Sequence, residues 1–413
     1  MKIYYGWYVV AVAMLFQAVT FGLGSYSFTF WVEHWMAEFH AGRGDVMWAT
    51  TVFTIALGVM GPAAGWAFDR ISMRLLVCLG GLAYAGGLAL ISVSTALWQI
   101  VALYAVLLGL GFTLAGSLGG QTLAAKWFRG RRGLAIGVVS LGSSIGGALL
   151  PLLVTALTGA FDWRTAHRIL AVFTAGAIIP LSWLVIRNSP EAAGIEPDPE
   201  SPLSRESAAS GAHREWSYGD ILRDRTFWLI VAGILPPALA FAGFMANLRP
   251  YAADIGIPAE ASGTLMSVVA VAMVGSKLAV GALADRMDLR LVYWGTAIPL
   301  MAAMAIMIGH PSYAVMLAVA ALAGFTGGSH MALLGAIVGV RFGPASFGKV
   351  AGLLMPFLTL SALGAVISGR VFDAFQSYDP ALEFYIAGTL VAAAGMFFLP
   401  VRRARPRSQG ETQ

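Results

Sequence analysis

The sequence predicts an all-α membrane protein whose twelve transmembrane helices form two pseudo-symmetric six-helix bundles. The composition is 58% hydrophobic and only 11% charged, which leaves too few charges to cover a soluble domain. Apolar runs of about 20 residues, the length needed to cross a bilayer, recur along the whole chain. A charged motif of the first half also returns in the second half, which indicates an internal duplication.

Taken in order, the apolar runs predict six helices, a polar linker and six further helices. The first six are expected over residues 7–31, 46–68, 74–95, 98–124, 132–158 and 166–187. The second six are expected over residues 226–247, 261–284, 289–309, 312–340, 348–370 and 381–401. The division predicts an N-terminal bundle over 1–187, a linker over 188–224, a C-terminal bundle over 225–401 and a tail over 402–413.

The placement of positive charge predicts the orientation of the chain. Most of the 26 Lys and Arg residues fall at helix ends on the same side as the N-terminus, and such residues prefer the cytoplasmic side. We therefore expect a multi-pass protein of the cell (inner) membrane with both termini in the cytoplasm. The first apolar run lacks a convincing cleavage site and is expected to be retained as a span. Because the net charge of +5 is scattered between apolar runs, it indicates contact with the lipid bilayer and not with nucleic acid.

The linker, residues 188–224, is rich in Pro, Ser, Glu and Arg and lacks apolar periodicity. It is expected to be a flexible cytoplasmic tether, with a regulatory site as the alternative. Residues 218–225 are expected to form a short surface helix that leads into helix 7. The single cysteine, Cys78, offers no disulfide framework or metal cluster, and the sequence predicts neither a metal nor a cofactor.

One cation, Lys277, lies inside the apolar run that ends at Asp285. At ~1.5 Å per helical residue, Lys277 lies roughly 12 Å from the water boundary at Asp285, near the middle of a hydrocarbon layer ~30 Å thick. A lysine at that depth cannot reach either surface, so we expect it to face a polar cavity or an anion. The alternative is an ammonium neutralised by burial or held by backbone carbonyls.

A motif of one glycine, one aspartate and two or more arginines follows helix 2 and recurs after helix 8 at a constant displacement. Its residues are Gly65, Asp69, Arg70 and Arg74 in the first copy and Gly281, Asp285, Arg286 and Arg290 in the second. The glycine permits tight packing. The aspartate is expected to cap a neighbouring helix or to pair with a cation, such as Arg74 or Arg132, in one of two conformations. The motif residues are therefore predicted to form a gate latch and not a substrate site.

The loop G-x-x-x-D-R-x-x-x-R resembles the signature loop of the major facilitator superfamily, and the resemblance covers essentially the whole chain. It implies two six-helix repeats with the substrate site between them near the bilayer midplane, where alternating access exposes it to each side in turn. Because the two halves complete the site within one chain, a monomer is expected.

Within that superfamily the chain is similar to the monocarboxylate-porter and oxalate/formate-exchanger branch. The residues that carry this likeness are Tyr5-Gly6-Trp7, the runs 131–137 and 250–256, and Lys277 with Gly281, Asp285 and Arg286. Members of the branch usually have arginine at the position of Lys277, where it meets the substrate carboxylate. Lysine keeps the charge but lacks the bidentate geometry of arginine.

Three positions depart from the patterns of this branch. Asn247 stands where bacterial lactate porters often have histidine, Met273 where animal monocarboxylate porters have aspartate, and Phe30 where the animal porters have lysine. These replacements weigh against proton coupling through the usual residues of the family.

Further polar residues are expected to line the substrate site with Lys277. His330 lies about 16 Å of helix before Arg341, again near the midplane. It is expected to relay a proton or to donate to a carboxylate, or else to be a neutral histidine bonded to a neighbouring helix. Hydroxyl and amide side chains at similar depth serve either as lining or as ordinary helix packing. They are Ser25, Tyr26, Thr113, Ser117, Ser140, Ser143, Ser144 and Asn247.

The sequence thus predicts a secondary transporter and not an enzyme. The expected substrate is a small organic anion, first of all a monocarboxylate, moved by alternating access with a proton as a candidate coupled ion. The alternatives are an oxalate/formate-type dicarboxylate exchanger and efflux of hydrophobic drugs by the same fold. A membrane sensor or an intramembrane enzyme is disfavoured because no output domain, nucleophile and base pair or phosphate loop stands out.

Overall fold

The computed structural model describes residues 4–196, 198 and 215–399. Most of the predicted linker and the whole predicted tail, residues 402–413, lie outside the described residues. We number the traversing helices α1 to α12 and count pieces joined through a π-helical or 3-10 turn as one helix.

The first half of the chain contributes α1 to α6. Their bounds are Gly6–Phe21, Gly22–Tyr26 (π-helical) and Thr29–Phe39 for α1; Arg43–Arg70 for α2; Met73–Ile91 for α3; Leu97–Leu103, Tyr104–Leu108 (π-helical), Gly109–Ala115 and Ser117–Trp127 for α4; Arg132–Ala160 for α5; and Trp163–Leu184 for α6.

The second half contributes α7 to α12, preceded by a short helix, Tyr218–Arg223, that we call the linker helix. The bounds are Arg225–Asp254 for α7; Ala259–Ala284 for α8; Leu289–Ile308 for α9; Tyr313–Phe342 for α10; Phe347–Thr359, Leu360–Ala362 (3-10) and Leu363–Phe375 for α11; and Asp379–Met396 for α12. The short helix expected before helix 7 is confirmed.

Eleven of the described helices are long and apolar enough to cross a membrane. The twelfth, α12, has 18 residues and carries Asp379 and Glu383 near its start, which lowers its apolar character. Several helices also extend beyond the apolar segments from which they were predicted. The first was expected to end at residue 31, but α1 continues to Phe39 because a π-helical turn at Gly22–Tyr26 carries the chain onward without ending the helix.

Polar residues begin several helices by accepting hydrogen bonds from the first backbone amides, which have no partner inside the helix. Asp162 accepts from Arg164 and Thr165 at the start of α6, and Asp224 accepts from Thr226 at the start of α7. These residues lie between apolar runs, so the capping carboxylates mark the water boundaries of the bundle.

Successive helices alternate in direction, so each end of the bundle collects a fixed set of helix termini. The ends of α2 and α8 and the starts of α5 and α11 lie at the end that carries the linker, which we call the linker end. Within each half, α1 packs on α5, α3 on α6, α8 on α10 and α7 on α12. Between the halves, α2 packs on α11 and α5 packs on α8 and α10, and these contacts position the candidate site.

Candidate transport site and gate

The seam between α2 and α11 is closed by glycines on both helices. A Cβ atom at Gly65 would lie 2.2 Å from the carbonyl oxygen of Gly348, and one at Gly352 would lie 2.3 Å from the carbonyl oxygen of Gly61. Only hydrogen fits at these positions, since small residues let helix backbones approach closely. The two halves therefore meet backbone against backbone at this seam.

The seam between α5 and α8 has the same construction. A Cβ atom at Gly133 would lie 2.5 Å from the carbonyl oxygen of Gly281, and the reverse contact would be 2.6 Å. At Gly137 the added atom would lie 2.2 Å from the carbonyl oxygen of Lys277. Together the two seams seal the linker end of the molecule.

Asp285, which follows the last residue of α8, caps a helix of the other half. Its Oδ1 accepts a hydrogen bond from the amide of Gly133 at 2.8 Å, and its Oδ2 accepts one from the amide of Leu134 at 2.9 Å. These amides belong to the first turn of α5, where the helix dipole also favours negative charge. Burial raises the pKa of Asp285 to about 6 even though both amide bonds lower it.

Asp69 holds the related position at the end of α2 and faces the start of α11. Its side chain is 2% exposed, and its Oδ2 lies 3.8 Å from Nζ of Lys349. A Cβ atom at Gly348 would lie 3.1 Å from its Oδ1. The sequence pointed to Arg74 or Arg132 as its cation, but here the ion pair is with Lys349. Arg74 donates from Nε to the carbonyl of Ile186, and Arg132 donates from Nε to the carbonyl of Phe128.

The last part of the linker docks on this α2–α11 seam. We call residues 215–223, which include the linker helix, the linker strap. Glu215 accepts a hydrogen bond from Nζ of Lys349 at 2.8 Å, which lowers the pKa of that carboxyl group. The hydroxyl of Tyr218 donates to the carbonyl of Pro62 in α2 at 2.7 Å. The strap therefore contacts both halves of the molecule across one seam.

Two further contacts fix the strap and the start of the linker. The amide of Trp216 donates to Oγ of Ser346, and its ring lies under the guanidinium of Arg341, 5.3 Å from ring centroid to Cζ. At the start of the linker, Oδ2 of Asp198 accepts a bond from the amide of Gly130. The described parts of the linker are thus docked, although its composition predicted a free tether.

Lys277 bridges the two halves near the middle of the membrane span. Its Nζ donates to the carbonyl of Ser140 at 2.9 Å, to Oγ of Ser143 at 2.9 Å and to Oγ of Ser144 at 2.8 Å. The residue is 5% exposed. All three partners lie on α5 and are neutral, and no carboxylate of the described residues forms an ion pair with this ammonium. One of the three acceptors is a backbone carbonyl and two are serine hydroxyls, so in this conformation the ammonium is held by neutral protein oxygens of α5.

The four predicted gate arginines lie in different surroundings. Arg74 and Arg290 hold the ends of α6 and α12 in their own halves, by Nε bonds to the carbonyls of Ile186 (3.0 Å) and Leu399 (2.8 Å). Arg70 stacks over the ring of Trp66 at 5.1 Å, and Arg286 is exposed. A gating role for these arginines stays a prediction.

The remaining predicted site residues are dispersed around the bundle. Tyr26, at the end of the π-helical turn in α1, is 46% exposed and lies over Gly147 of α5. Oγ of Ser117 accepts a hydrogen bond from the side-chain amide of Gln121. The side-chain amide of Asn247 donates one to the backbone carbonyl of Gly243. The ring of His330 lies 6.4 Å from that of Phe241. The described hydrogen bonds connect Lys277 with Ser143 but with none of these four residues, whose roles stay predictions.

Sequence reasoning missed Lys349, Glu215 and Tyr218. The sequence did carry a signal for Lys349. The displacement between the two halves that relates Gly133 to Gly348 also relates Leu134, which bonds to the motif aspartate Asp285, to Lys349. The strap residues carry no comparable signal, since Tyr218 is held through a backbone carbonyl.

Comparison with known proteins assigns the family. The model of the Major Facilitator Superfamily matches residues 14–307 and, in a second and overlapping match, residues 238–413. The chain belongs to the Major Facilitator Superfamily. Its similar curated proteins are transporters, so this is a multi-pass membrane transporter and not an enzyme.

Two curated relatives of this superfamily member are monocarboxylate transporters. Monocarboxylate transporter 3 of Rattus norvegicus is 25% identical over 413 residues, which cover 95% of this chain and 79% of the relative. Monocarboxylate transporter 12 of Homo sapiens is 26% identical over 303 residues, which cover 69% of this chain and 58% of the relative.

Solved structures show the same fold. The proton:xylose symporter XylE bound to 6-bromo-6-deoxy-D-glucose has a TM-score of 0.71 at 16% identity, covering 97% of each chain. The human organic anion transporter MFSD10 has a TM-score of 0.67 at 15% identity, covering 95% of this chain and 99% of that one. At such identities the likeness concerns the fold alone, and it confirms the predicted twelve-helix class.

Proposed function

We propose that this protein is a secondary transporter of small monocarboxylates that works by alternating access as a monomer. The observation that carries the proposal is the ammonium of Lys277, buried near the midplane between the halves with only neutral oxygen partners. A buried charge without a counter-ion is costly, and a visiting anion removes that cost. The names of the two monocarboxylate transporter relatives support the same substrate class.

The proposal places the linker end and both termini in the cytoplasm of a cell with this protein in its inner membrane. Positive residues gather at that end of the helices. With the two glycine seams closing the linker end, the conformation described here is then one that is closed toward the cytoplasm. The six helices before the linker and the six after it are the two bodies that rock against each other.

The test is uptake of labelled formate, acetate, L-lactate, pyruvate and oxalate into proteoliposomes that contain the purified protein. Uptake of a monocarboxylate is expected, and Lys277→Met is expected to slow it roughly tenfold to hundredfold, because charge-assisted hydrogen bonds contribute about 1.5–3 kcal/mol. Arg249→Met, which removes an exposed cation of α7, serves as the matched control and is expected to transport like the parent.

Two comparisons within the same assay define the mode of transport. Uptake driven by an inward proton gradient identifies symport, and uptake that requires a carboxylate inside the vesicle identifies exchange. Transport of oxalate in preference to the monocarboxylates identifies the dicarboxylate exchanger. If no carboxylate is moved and Lys277→Met behaves like the parent, the proposal is wrong.

A further inference from the structure

We infer that one turn of α5, formed by Ser140, Ser143 and Ser144, is the resting partner of Lys277 and competes with the transported anion for its ammonium. Binding of the anion would then release α8 from α5 and permit the linker end to open. The inference rests on the proposed function and deepens it, because it assigns these serines the role of positioning residues.

The geometry of the serine turn matches the hydrogen-bonding capacity of an ammonium. Lysine has three N–H donors, and the three oxygens of this turn accept them at 2.8–2.9 Å. The hydroxyl of Ser143 donates to the carbonyl of Ser140 at 2.9 Å, so its lone pairs are left for the ammonium. No donor of Lys277 is left over for an anion while these three bonds exist.

The internal repeat shows which of these polar groups accompany the lysine. The displacement that maps Gly65 on Gly281 maps Gly61 on Lys277, and the one that maps Gly133 on Gly348 relates the serine turn to a turn of α11. At the counterparts of Ser140, Ser143 and Ser144, that turn carries Met355, Leu358 and Thr359. The glycine seam is thus built twice, but the lysine and the hydroxyl of Ser143 occur in only one copy, whereas Thr359 keeps a hydroxyl at the counterpart of Ser144. Close helix packing alone does not require them.

A carboxylate is a stronger partner for the ammonium than these neutral oxygens. Both kinds of bond use the ionised donor, but a carboxylate adds the Coulomb attraction of a full negative charge, which the neutral serine oxygens lack. An anion that reaches the ammonium therefore takes donors away from α5. Lys277 and Asp285 supply the described side-chain hydrogen bonds between α8 and α5, so loss of the Lys277 bonds leaves this seam fastened only at its linker end.

The experiment combines binding with a distance measurement on the full-length protein. Spin labels at Ile71→Cys and Met287→Cys, in a Cys78→Ser background, report the separation of the halves at the linker end; both positions are exposed, at 38% and 41%. The variant Ser143→Ala with Ser144→Ala is compared with Ser143→Thr with Ser144→Thr, which keeps both hydroxyls. L-lactate is the anionic probe, and L-lactamide is the uncharged probe of nearly the same shape.

The double alanine variant is expected to bind L-lactate about tenfold more tightly than the parent, because two competing acceptors are gone. Without any probe, its linker-end distances are expected to shift toward the open population. The threonine variant is expected to resemble the parent in both measurements. L-lactate should open the linker end of the parent, whereas L-lactamide should not.

The outcomes separate this inference from the proposed function. If the parent binds and transports L-lactate but the double alanine variant shows parental affinity and distances, the inference fails while the function stands. If the parent binds no monocarboxylate but the alanine variant still opens without a probe, the serine turn is a resting lock and the substrate assignment fails. Should the double variant not fold, Ser144→Ala alone removes one of the three bonds, and an unchanged distance distribution would overturn the inference.

Discussion

The two seams at the linker end began as copies of one arrangement and now differ in what fastens them. At the α5–α8 seam, Asp285 bonds directly to two amides of α5, and Lys277 adds three bonds deeper in the membrane. At the α2–α11 seam, Asp69 only faces Lys349 at 3.8 Å, and Lys349 is shared with Glu215 of the strap. The α5–α8 seam is held by Asp285 and Lys277 of the second half, whereas the α2–α11 seam is also held by Glu215 of the linker strap.

This difference indicates a division of labour between the seams. Under the proposed function, Lys277 is the group that responds to an anion, which would make the α5–α8 seam the one that senses the substrate. The α2–α11 seam carries a glycine at the counterpart of Lys277, packed against Met355 and Gly352, so it has no group at that depth to respond. The additional contacts of the α2–α11 seam come from Glu215 and Tyr218 of the linker strap, at the linker end of the molecule.

The largest effect is expected from Gly65→Ala, which tests whether backbone contact closes the α2–α11 seam. The new methyl group would meet the carbonyl oxygen of Gly348 at 2.2 Å, and a backbone atom cannot move aside as a side chain does. We expect the closed linker end to lose about 3 kcal/mol, near the upper end of overpacking costs. The spin-label pair at Ile71→Cys and Met287→Cys should then report a mainly open population.

The control for that variant is Gly86→Ala, in the same half, where an added Cβ atom meets nothing within 4 Å. It shares the change in backbone entropy but not the contact. An unchanged distance distribution in Gly65→Ala would show that the seam closes without backbone contact.

A smaller effect is expected from Asp285→Ala, which removes the direct cap of the α5–α8 seam. The amides of Gly133 and Leu134 lose their acceptor, and leaving buried donors unpaired costs about 1–3 kcal/mol. The linker-end distances should shift toward the open population, and Asp285→Asn, which keeps one acceptor, should shift them less. Asp288→Asn, an altered carboxylate in the same loop, is the control. Equal shifts for Asp285→Ala and Asp288→Asn would contradict the role assigned to the cap.

The smallest effect is expected from Tyr218→Phe, which removes the bond from the strap to Pro62 in α2. A single hydrogen bond contributes about 0.5–1.5 kcal/mol, so the same spin-label pair should show a modest gain of the open population. Tyr8→Phe, at an exposed tyrosine of α1, is the matched control. If Tyr218→Phe leaves the distances as they are in the parent, the strap does not stabilise the closed seam.

Much of the fold could be predicted from the sequence, because apolar run length, cation placement and the repeated motif each depend on local residue types. The position of Lys277 on its helix, eight residues before Asp285, is likewise read directly from the sequence. Its partner was not predictable. Depth does not tell which way a side chain points around the helix, so the cavity and the carbonyl-bound alternatives stayed open until α5 was placed beside α8.

The gate shows a second limit of the same kind. The aspartate of each motif copy was expected to cap a helix or pair with a cation, and Asp285 does cap α5. The cations beside Asp69 are Lys349 of the opposite half and Lys126 of α4, and not Arg74. Polar composition suggested a flexible linker, but the strap is docked through Lys349, Ser346 and the carbonyl of Pro62. These partners are far away in sequence, so the composition of the linker does not reveal them.

The π-helical turn in α1 has a mechanical consequence. The segment Gly22–Tyr26 is wound as a π-helix, whose hydrogen bonds span one more residue than those of an α-helix. The hydroxyl of Tyr84 donates a hydrogen bond to the carbonyl of Thr20, which lies just before this turn. The portion beyond the turn, Thr29–Phe39, buries its own Trp31 and Trp35 against Tyr104, Trp163 and His167. α1 is therefore anchored on both sides of the turn, by Tyr84 before it and by these two tryptophans after it.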